Sequence, residues 1–274
     1  MIRLIGRMVL LTVVVFALTA CATTTESPRT QEVKNNALRV GVSPDYPPMA
    51  FKLTDRIAGA EVDLALRLGK ELGSPVEFVE LDRDQLIASL MERKIDIIMS
   101  GMTITEARKA RINFTDPYLK SGLVALMRAE DGWKYDSVQT IRNTVFRVGV
   151  VRGSTGEAYV RANFFTTGNI ISLERASDAA PALKNRRIDL FVNDAPSIAW
   201  LVSENETLKG FWEPLNEEYL GWGVNRDDSK LLTQVNYILR NWKKKGILKE
   251  VLSTWLPYWK GLINRPPLHP TSAH

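Results

Sequence analysis

The sequence predicts an α/β protein built from two similar lobes, and three observations predict it. The string Arg39-Val40-Gly41-Val42 returns as Arg147-Val148-Gly149-Val150. Leu90-x-x-Arg93-Lys94-Ile95-Asp96 returns, in the same order along the chain, as Leu183-x-x-Arg186-Arg187-Ile188-Asp189. Each pair brackets a helical stretch and closes with an apolar strand, which is the layout of a βαβ-type unit. Coincidence between short strand-like strings is the competing reading, and two matches in one order weigh against it. Third, roughly 235 residues lie between a polar N-terminal segment and a Pro-rich tail, enough for one large or two small domains.

The first residues read as a processing segment. Arg3 and Arg7 form a basic start, and the apolar run Met8 to Ala20, about 13 residues, is too short to span a bilayer. A signal peptide over 1–20 is expected. The run ends Leu18-Thr19-Ala20-Cys21, which resembles a bacterial lipobox, in which the Cys is lipidated and becomes the mature N-terminus. An ordinary secretory signal with an incidental Cys is the alternative. Cys21 is the single cysteine, so no intramolecular disulfide can form. Residues 21–37 are rich in Thr, Glu, Lys, Arg, Asn and Gln and cannot bury a core, so a flexible tether is expected. The net charge of +5 falls to about +3 once Arg3 and Arg7 are removed. No basic stripe interleaved with aromatics occurs, which argues against nucleic acid as a partner.

In the first unit, Val62, Ala65, Leu66, Gly69 and Leu72 fall on one helical face, with Gly73 as a stop. Asp84 is a plausible cap for a second helix carrying Leu86, Ile87, Leu90 and Met91. Ile95 to Met99 reads as a buried parallel strand. In the second unit the strand Val148 to Val151 runs into Gly153-Ser154-Thr155-Gly156-Glu157, where Ser154 and Glu157 have capping-box spacing. Asp178 is a candidate cap for a later helix with Pro181 in its first turn. The strand from Ile188 to Val192 ends at Asn193-Asp194. Near the C-terminus Leu231, Leu232, Val235, Ile238, Leu239 and Trp242 form one helical stripe that Gly246 breaks, and a shorter helix follows. Residues 261–274 are Pro-rich, hold both histidines, His269 and His274, and are expected to lack structure.

Several short stretches carry chemistry. Beyond the strand ending at Met99 the chain passes Ser100 and Gly101 and meets Thr103, Thr105 and Arg108. Thr105 can cap a short turn holding Glu106 and Arg108. Hydroxyls and a guanidinium gathered beyond the carboxyl end of a strand suit a carboxylate ligand. The same residues also suit a surface turn in which Arg108 pairs with Glu106 or Asp116. Ser43-Pro44-Asp45-Tyr46-Pro47-Pro48-Met49 has the composition of a turn, or places Tyr46 as the wall of a pocket. Ser154 and Thr155 cap a helix whose free N–H groups attract anions. Asp194 ends a strand, as a cap before Pro196 or as a site carboxylate. Arg83 either snorkels and pairs with Asp82 or Asp84, or adds a second cation near a ligand; the flanking acids favour the pairing.

Thr103-Ile104-Thr105-Glu106-Ala107-Arg108 followed by Phe114-Thr115-Asp116-Pro117-Tyr118 resembles the signature of bacterial extracellular solute-binding proteins of family 3, the amino-acid-binding components of ABC importers. The resemblance covers about Leu38 to Trp259. It implies the type II periplasmic binding protein fold: two lobes, each a mainly parallel sheet flanked by helices, joined by two hinge crossings. The crossings are expected near Arg128 and Tyr219, giving 38–127 and 219–260 to lobe 1 and 128–218 to lobe 2. Thr103 and Arg108 would hold the ligand α-carboxylate, Ser154 or Thr155 would share it, Asp194 would accept the α-ammonium, and Tyr46 would cover the ligand. Ser43, Ser100, Gly101 and Val151 would complete the pocket. Met49-Ala50 stands where the family has Phe-Glu, and Arg83 stands at a family position that is usually apolar. The resemblance implies a monomeric, extracytoplasmic, membrane-anchored protein that delivers an amino acid to an importer permease, with no cofactor and no metal. A dehydratase-like enzyme on the same fold is the competing class, and a sensor subunit is a third. Neither histidine falls in the core and Cys21 is expected to be lipidated, so His- or Cys-based catalysis is not expected.

Overall fold

The computed structural model describes residues 37–165 and 167–257. The expected leader, Cys21, nearly all of the tether 21–37 and the tail 261–274 lie outside the described residues. The chain forms two five-stranded sheets flanked by helices. In the first, Val76–Glu80, Leu38–Val42 and Ile97–Ile98 run parallel, and Gly223–Val224 lies antiparallel between Ile97–Ile98 and Asn113–Phe114. In the second, Ile170–Leu173, Val148–Val151 and Leu190–Asp194 run parallel, and Leu123–Arg128 lies antiparallel between Leu190–Asp194 and Leu208–Phe211.

The internal echo has a structural cause in each lobe. Gly41 packs so closely on Ile95 that a Cβ would stand 2.3 Å from Ile95 Cδ1, and Gly149 repeats this against Ile188 at 2.5 Å. The neighbouring strand glycine is therefore required for the Ile to reach the core. The Arg and Asp of the two strings pair with each other: Arg39 Nε donates to Asp96 Oδ2 at 3.0 Å, and Arg147 Nε to Asp189 Oδ2 at 2.9 Å. Arg93 and Arg186 both adopt left-handed backbone, φ 57 and 53, and turn the chain from helix to strand.

The first crossing differs from the expectation. Placing 38–127 in lobe 1 would put Leu123–Arg128 with the first sheet, yet this strand lies in the second. All six of its residues are buried, and the apolar run Leu123 to Met127 carries no mark of which sheet it joins. Arg128 lies inside the second unit, donating to the carbonyls of Leu183 and Ile188 and pairing with Asp131 and Asp189. The change of sheet falls at 119–122. There Leu119–Ser121 pairs antiparallel with Glu218–Leu220, forming a two-stranded ribbon apart from both sheets. Gly122 follows at a close approach, where a Cβ would meet the Asn216 carbonyl oxygen at 2.5 Å.

Local expectations hold with several corrections. In the helix Ala60–Leu72, Val62, Ala65 and Gly69 are buried, but Leu66 is 52% exposed and Leu64 and Leu68 take the core instead. The same helix buries Glu61 completely. Asp84 makes no cap for Leu86–Met91, and Met91 is half exposed. Asp178 accepts from the Arg175 N–H rather than capping Ala179–Lys184. The helix Ser229–Lys245 buries Val235, Ile238, Leu239 and Trp242 and stops at left-handed Gly246, before Ile247–Trp255.

Candidate functional site

Beyond the carboxyl ends of the parallel strands, Asp45, Tyr46, Arg83, Thr103 and Arg108 from the first lobe face Val151, Ser154, Thr155, Ala176, Asn193 and Asp194 from the second. The free volume between them is about 20 Å³, room for little more than one water. An organic ligand therefore has to displace side chains or part the lobes.

Thr105 caps the turn Glu106–Lys109 by accepting from the Arg108 N–H at 3.3 Å, as its position predicts. This aims Arg108 inward, where Nη1 donates to the Thr103 carbonyl at 2.9 Å. The surface-turn alternative fails because its acids have other partners: Glu106 pairs with Lys109 and Asp116 with Arg240. Burial and the charge of Arg83 lower the Arg108 pKa from its ordinary value, against the pull of Asp194 and Glu218. Arg83 itself does not pair with Asp82 or Asp84. Its guanidinium lies 5.0 Å from the centroid of the Tyr46 ring, on the cleft side.

Asp194 ends its strand just before the helix Ala195–Ser203, yet its side chain makes no cap. It is 7% exposed and accepts from Tyr46 Oη at 2.9 Å through Oδ2, while Oδ1 is buried without an N–H or hydroxyl donor. Burial above all, then the charge of Glu218 and a hydrogen bond shared with its carboxyl, pushes its pKa up to about 7, opposed by Arg83 and by the Tyr46 hydrogen bond. Ser154 caps the helix Thr155–Asn163, accepting from the Glu157 N–H at 3.0 Å. The Glu157 carboxylate reaches one residue further than a capping box requires and accepts from the Gly153 N–H at 2.8 Å.

Of the expected pocket residues, Tyr46, Arg83, Thr103, Arg108, Val151, Ser154, Thr155 and Asp194 come together at the cleft. Ser43, Ser100 and Gly101 lie behind its wall. Ser100 Oγ accepts from the Ser43 N–H at 2.9 Å, and Ser43 Oγ donates to Asp45 at 2.8 Å. Gly101, at φ +60, lies under the Tyr46 ring, where a Cβ would stand 2.3 Å from Cε1. Glu61 organises this wall. It accepts from the Gly101 N–H at 2.7 Å, Tyr118 Oη at 2.6 Å and Trp222 Nε1 at 2.7 Å.

Sequence reasoning missed Glu218. From the ribbon, its Oε2 accepts from Thr103 Oγ1 at 3.0 Å and Thr155 Oγ1 at 3.2 Å, and its Oε1 from Asn216 Nδ2 at 3.1 Å. The signal was present in strand alternation: Glu218 and Leu220 share the buried face of a strand whose Tyr219 is exposed.

The cleft thus opposes an acceptor without a donor, Asp194 Oδ1, to two guanidiniums that have no carboxylate in ion-pair range among the described residues. That arrangement suits a small molecule carrying both charges. The family model of bacterial extracellular solute-binding proteins, family 3, matches residues 38–258. The chain belongs to this family. This solute-binding protein is 28% identical, over 88% of its length and 93% of the relative's, to the arginine-binding extracellular protein ArtP of Bacillus subtilis. A putative binding component of an ABC transporter from Wolinella succinogenes, complexed with lysine, superposes with a TM-score of 0.77 at 27% identity, covering 80% of this chain and 95% of that one. An ancestral amino acid-binding protein, a precursor of cyclohexadienyl dehydratase, superposes with a TM-score of 0.74 at 33% identity, covering 81% and 96%. The solute-binding protein therefore has the two-lobed fold that its signature implied, and it sits in a family of extracellular binding proteins.

Proposed function

We propose that this protein binds a free amino acid, or a closely related zwitterion, between its lobes and delivers it to the permease of an ABC importer. The observation that carries the reading is the buried carboxyl of Asp194, whose Oδ1 meets no N–H or hydroxyl donor and whose acidic neighbour is Glu218, facing a cleft that also holds Arg108. Asp194 takes the α-ammonium, Arg108 takes the α-carboxylate as a bidentate fork, and the hydroxyls of Thr103, Ser154 and Thr155 complete the carboxylate cradle. Tyr46 forms the wall over the ligand, Val151 the floor, and Arg83 meets the ligand side chain. Ser43, Ser100 and Gly101 act by holding Tyr46 in place. We take the first lobe as 38–118 with 221–257, the second as 122–217, and the paired strands 119–121 and 218–220 as the hinge.

The protein works as a monomer outside the cytoplasm, in the periplasm or at the cell surface, tethered to a membrane through lipidated Cys21, and it performs no chemistry on its ligand. Arginine, histidine and cystine binding among relatives supports an amino acid as cargo. The experiment is a thermal-shift screen of the mature protein against the common amino acids, since a ligand that binds only the folded state raises the melting temperature. At least one amino acid is expected to shift it. A flat screen, repeated by calorimetry, would remove the assignment.

A further inference from the structure

Glu218 occupies the position that the proposed ligand carboxylate needs. Its carboxylate takes the hydroxyl of Thr103 from the first lobe and the hydroxyl of Thr155 from the second. Its charge also falls on Arg108, the third member of that cradle, and on Asp194, with which it shares a hydrogen bond. The residue is buried, and Asn216, two residues before it, fixes its other oxygen. It does not belong to either sheet. It projects from the ribbon of paired strands that stands apart from both sheets, and from there it reaches both lobes at once.

We propose that Glu218 is a built-in carboxylate that the cleft closes on in place of a ligand, and that a bound amino acid must displace it with its own carboxylate. Two consequences follow for recognition. The lobes are held together by a lobe-bridging contact before any cargo arrives. Cargo is selected for a carboxylate strong enough to compete with one already tethered at high local concentration, so a simple amine without a carboxylate is rejected. The second consequence rests on the amino-acid reading above; the first does not.

The test uses the sodium salt of a small carboxylic acid as well as amino acids. Small-angle scattering of the protein without added ligand is compared with that of Glu218→Ala, with Thr155→Val as a second variant that removes one bridge and leaves Glu218 intact. Both variants are expected to have a larger radius of gyration than the wild type. Millimolar sodium acetate should contract Glu218→Ala toward the wild-type value, as the free carboxylate takes the vacated hydroxyls. Sodium chloride at equal ionic strength should not, and acetate should leave the wild type unchanged. An amino acid identified by the thermal screen should bind Glu218→Ala about tenfold more tightly than wild type, because its competitor is gone. Scattering that is the same in all three proteins would overturn the proposal. So would an expansion of Glu218→Ala that acetate does not reverse, which would leave Glu218 an ordinary structural contact. If Glu218→Ala does not fold, unaltered scattering in Thr155→Val overturns the proposal by itself. If no amino acid binds any of the proteins, the amino-acid reading fails while the acetate comparison still decides the role of Glu218.

Discussion

Tyr46 Oη and Asp194 Oδ2 lie 2.9 Å apart, joining residues separated by 148 positions in the sequence and carried by different lobes. The bond holds the proposed ammonium acceptor at the cleft and lowers the pKa of Asp194 against burial and the adjoining Glu218 carboxyl, which together push it up to about 7. A cationic ammonium favours the ionised form, so binding must release the Asp194 proton wherever that proton is present. Below pH 7 affinity is expected to fall by up to about tenfold per pH unit, and above it to level off. Calorimetry in buffers of different ionisation heat measures the proton released. Tyr46→Phe removes a hydrogen bond that favours the carboxylate, so the midpoint of this profile should move to higher pH. A profile flat between pH 5 and 8 would show that Asp194 does not meet the ammonium.

Arg108 and Asp194 should be unequal in their response to ligand chemistry. Removing one partner of a buried charge pair costs about 3–5 kcal/mol. Arg108→Ala should therefore weaken binding by roughly two to three and a half decades. Asp194→Asn should hurt α-amino acids more than their des-amino carboxylate analogues, which have no ammonium to strand. Arg108→Lys should rescue only in part, because an ammonium lacks the planar fork. Calorimetry with one identified ligand separates these outcomes, and near-wild-type affinity in Arg108→Ala would sink the clamp.

Arg83 lies on the cleft side of Tyr46 rather than in a surface ion pair. Arg83→Ala should reorder ligands and not merely weaken them all. Acidic and polar side chains should lose about tenfold, or about 1.4 kcal/mol, while cationic ones gain. An unchanged ranking across a panel of amino acids would place Arg83 outside the side-chain pocket.

Glu61 is expected to matter for stability and for its pH dependence. Glu61→Ala leaves the Gly101 N–H, Tyr118 Oη and Trp222 Nε1 without their acceptor. At about 1–3 kcal/mol for each stranded group, urea denaturation should show a loss of at least about 3 kcal/mol. Burial also raises the Glu61 pKa from 4.5 to about 7. The folded state then binds the proton more tightly than the unfolded chain, so the stability from this group is full below about pH 4.5 and declines toward pH 7. Glu61→Gln should flatten that decline in melting temperature, and an undiminished slope would assign it elsewhere.

On the proposed lipoprotein reading, Cys21 decides how the protein is held. Mature protein from a bacterial host should partition with membranes, and Cys21→Ser should release it or leave the leader uncleaved. A Cys21→Ser protein processed and localised like wild type would end the lipoprotein reading.

What was legible in the sequence follows from how local each determinant is. The echoed strings could be read because their residues contact one another within one lobe: Gly41 makes room for Ile95, and Arg39 meets Asp96. Thr105 and Ser154 could be read as caps because a cap acts on the N–H three residues on. Leu123–Arg128 could not be assigned to its sheet, since its apolar run Leu123 to Met127 fits any buried position. Leu66 was misplaced because the buried face of its helix is centred on Glu61, Leu64, Ala65 and Leu68, and Leu66 falls just past its edge. Glu61 and Glu218 were passed over for a shared reason. A carboxylate reads as solvated until the donors that surround it are known, and those donors come from residues 40 to 161 positions away for Glu61 and 63 to 115 for two of those on Glu218.

The paired strands Leu119–Ser121 and Glu218–Leu220 have a mechanical consequence. Two independent linkers would let one lobe swing, slide and twist against the other. Hydrogen-bonded side by side, with Glu218 opposite Ser121 and Leu220 opposite Leu119, they behave as a single leaf spring that resists shear along the strands and bends readily across its face. As the proposed hinge, the ribbon would reduce relative motion to nearly one coordinate, and any surface straddling the cleft mouth would have a spacing that reports that coordinate directly.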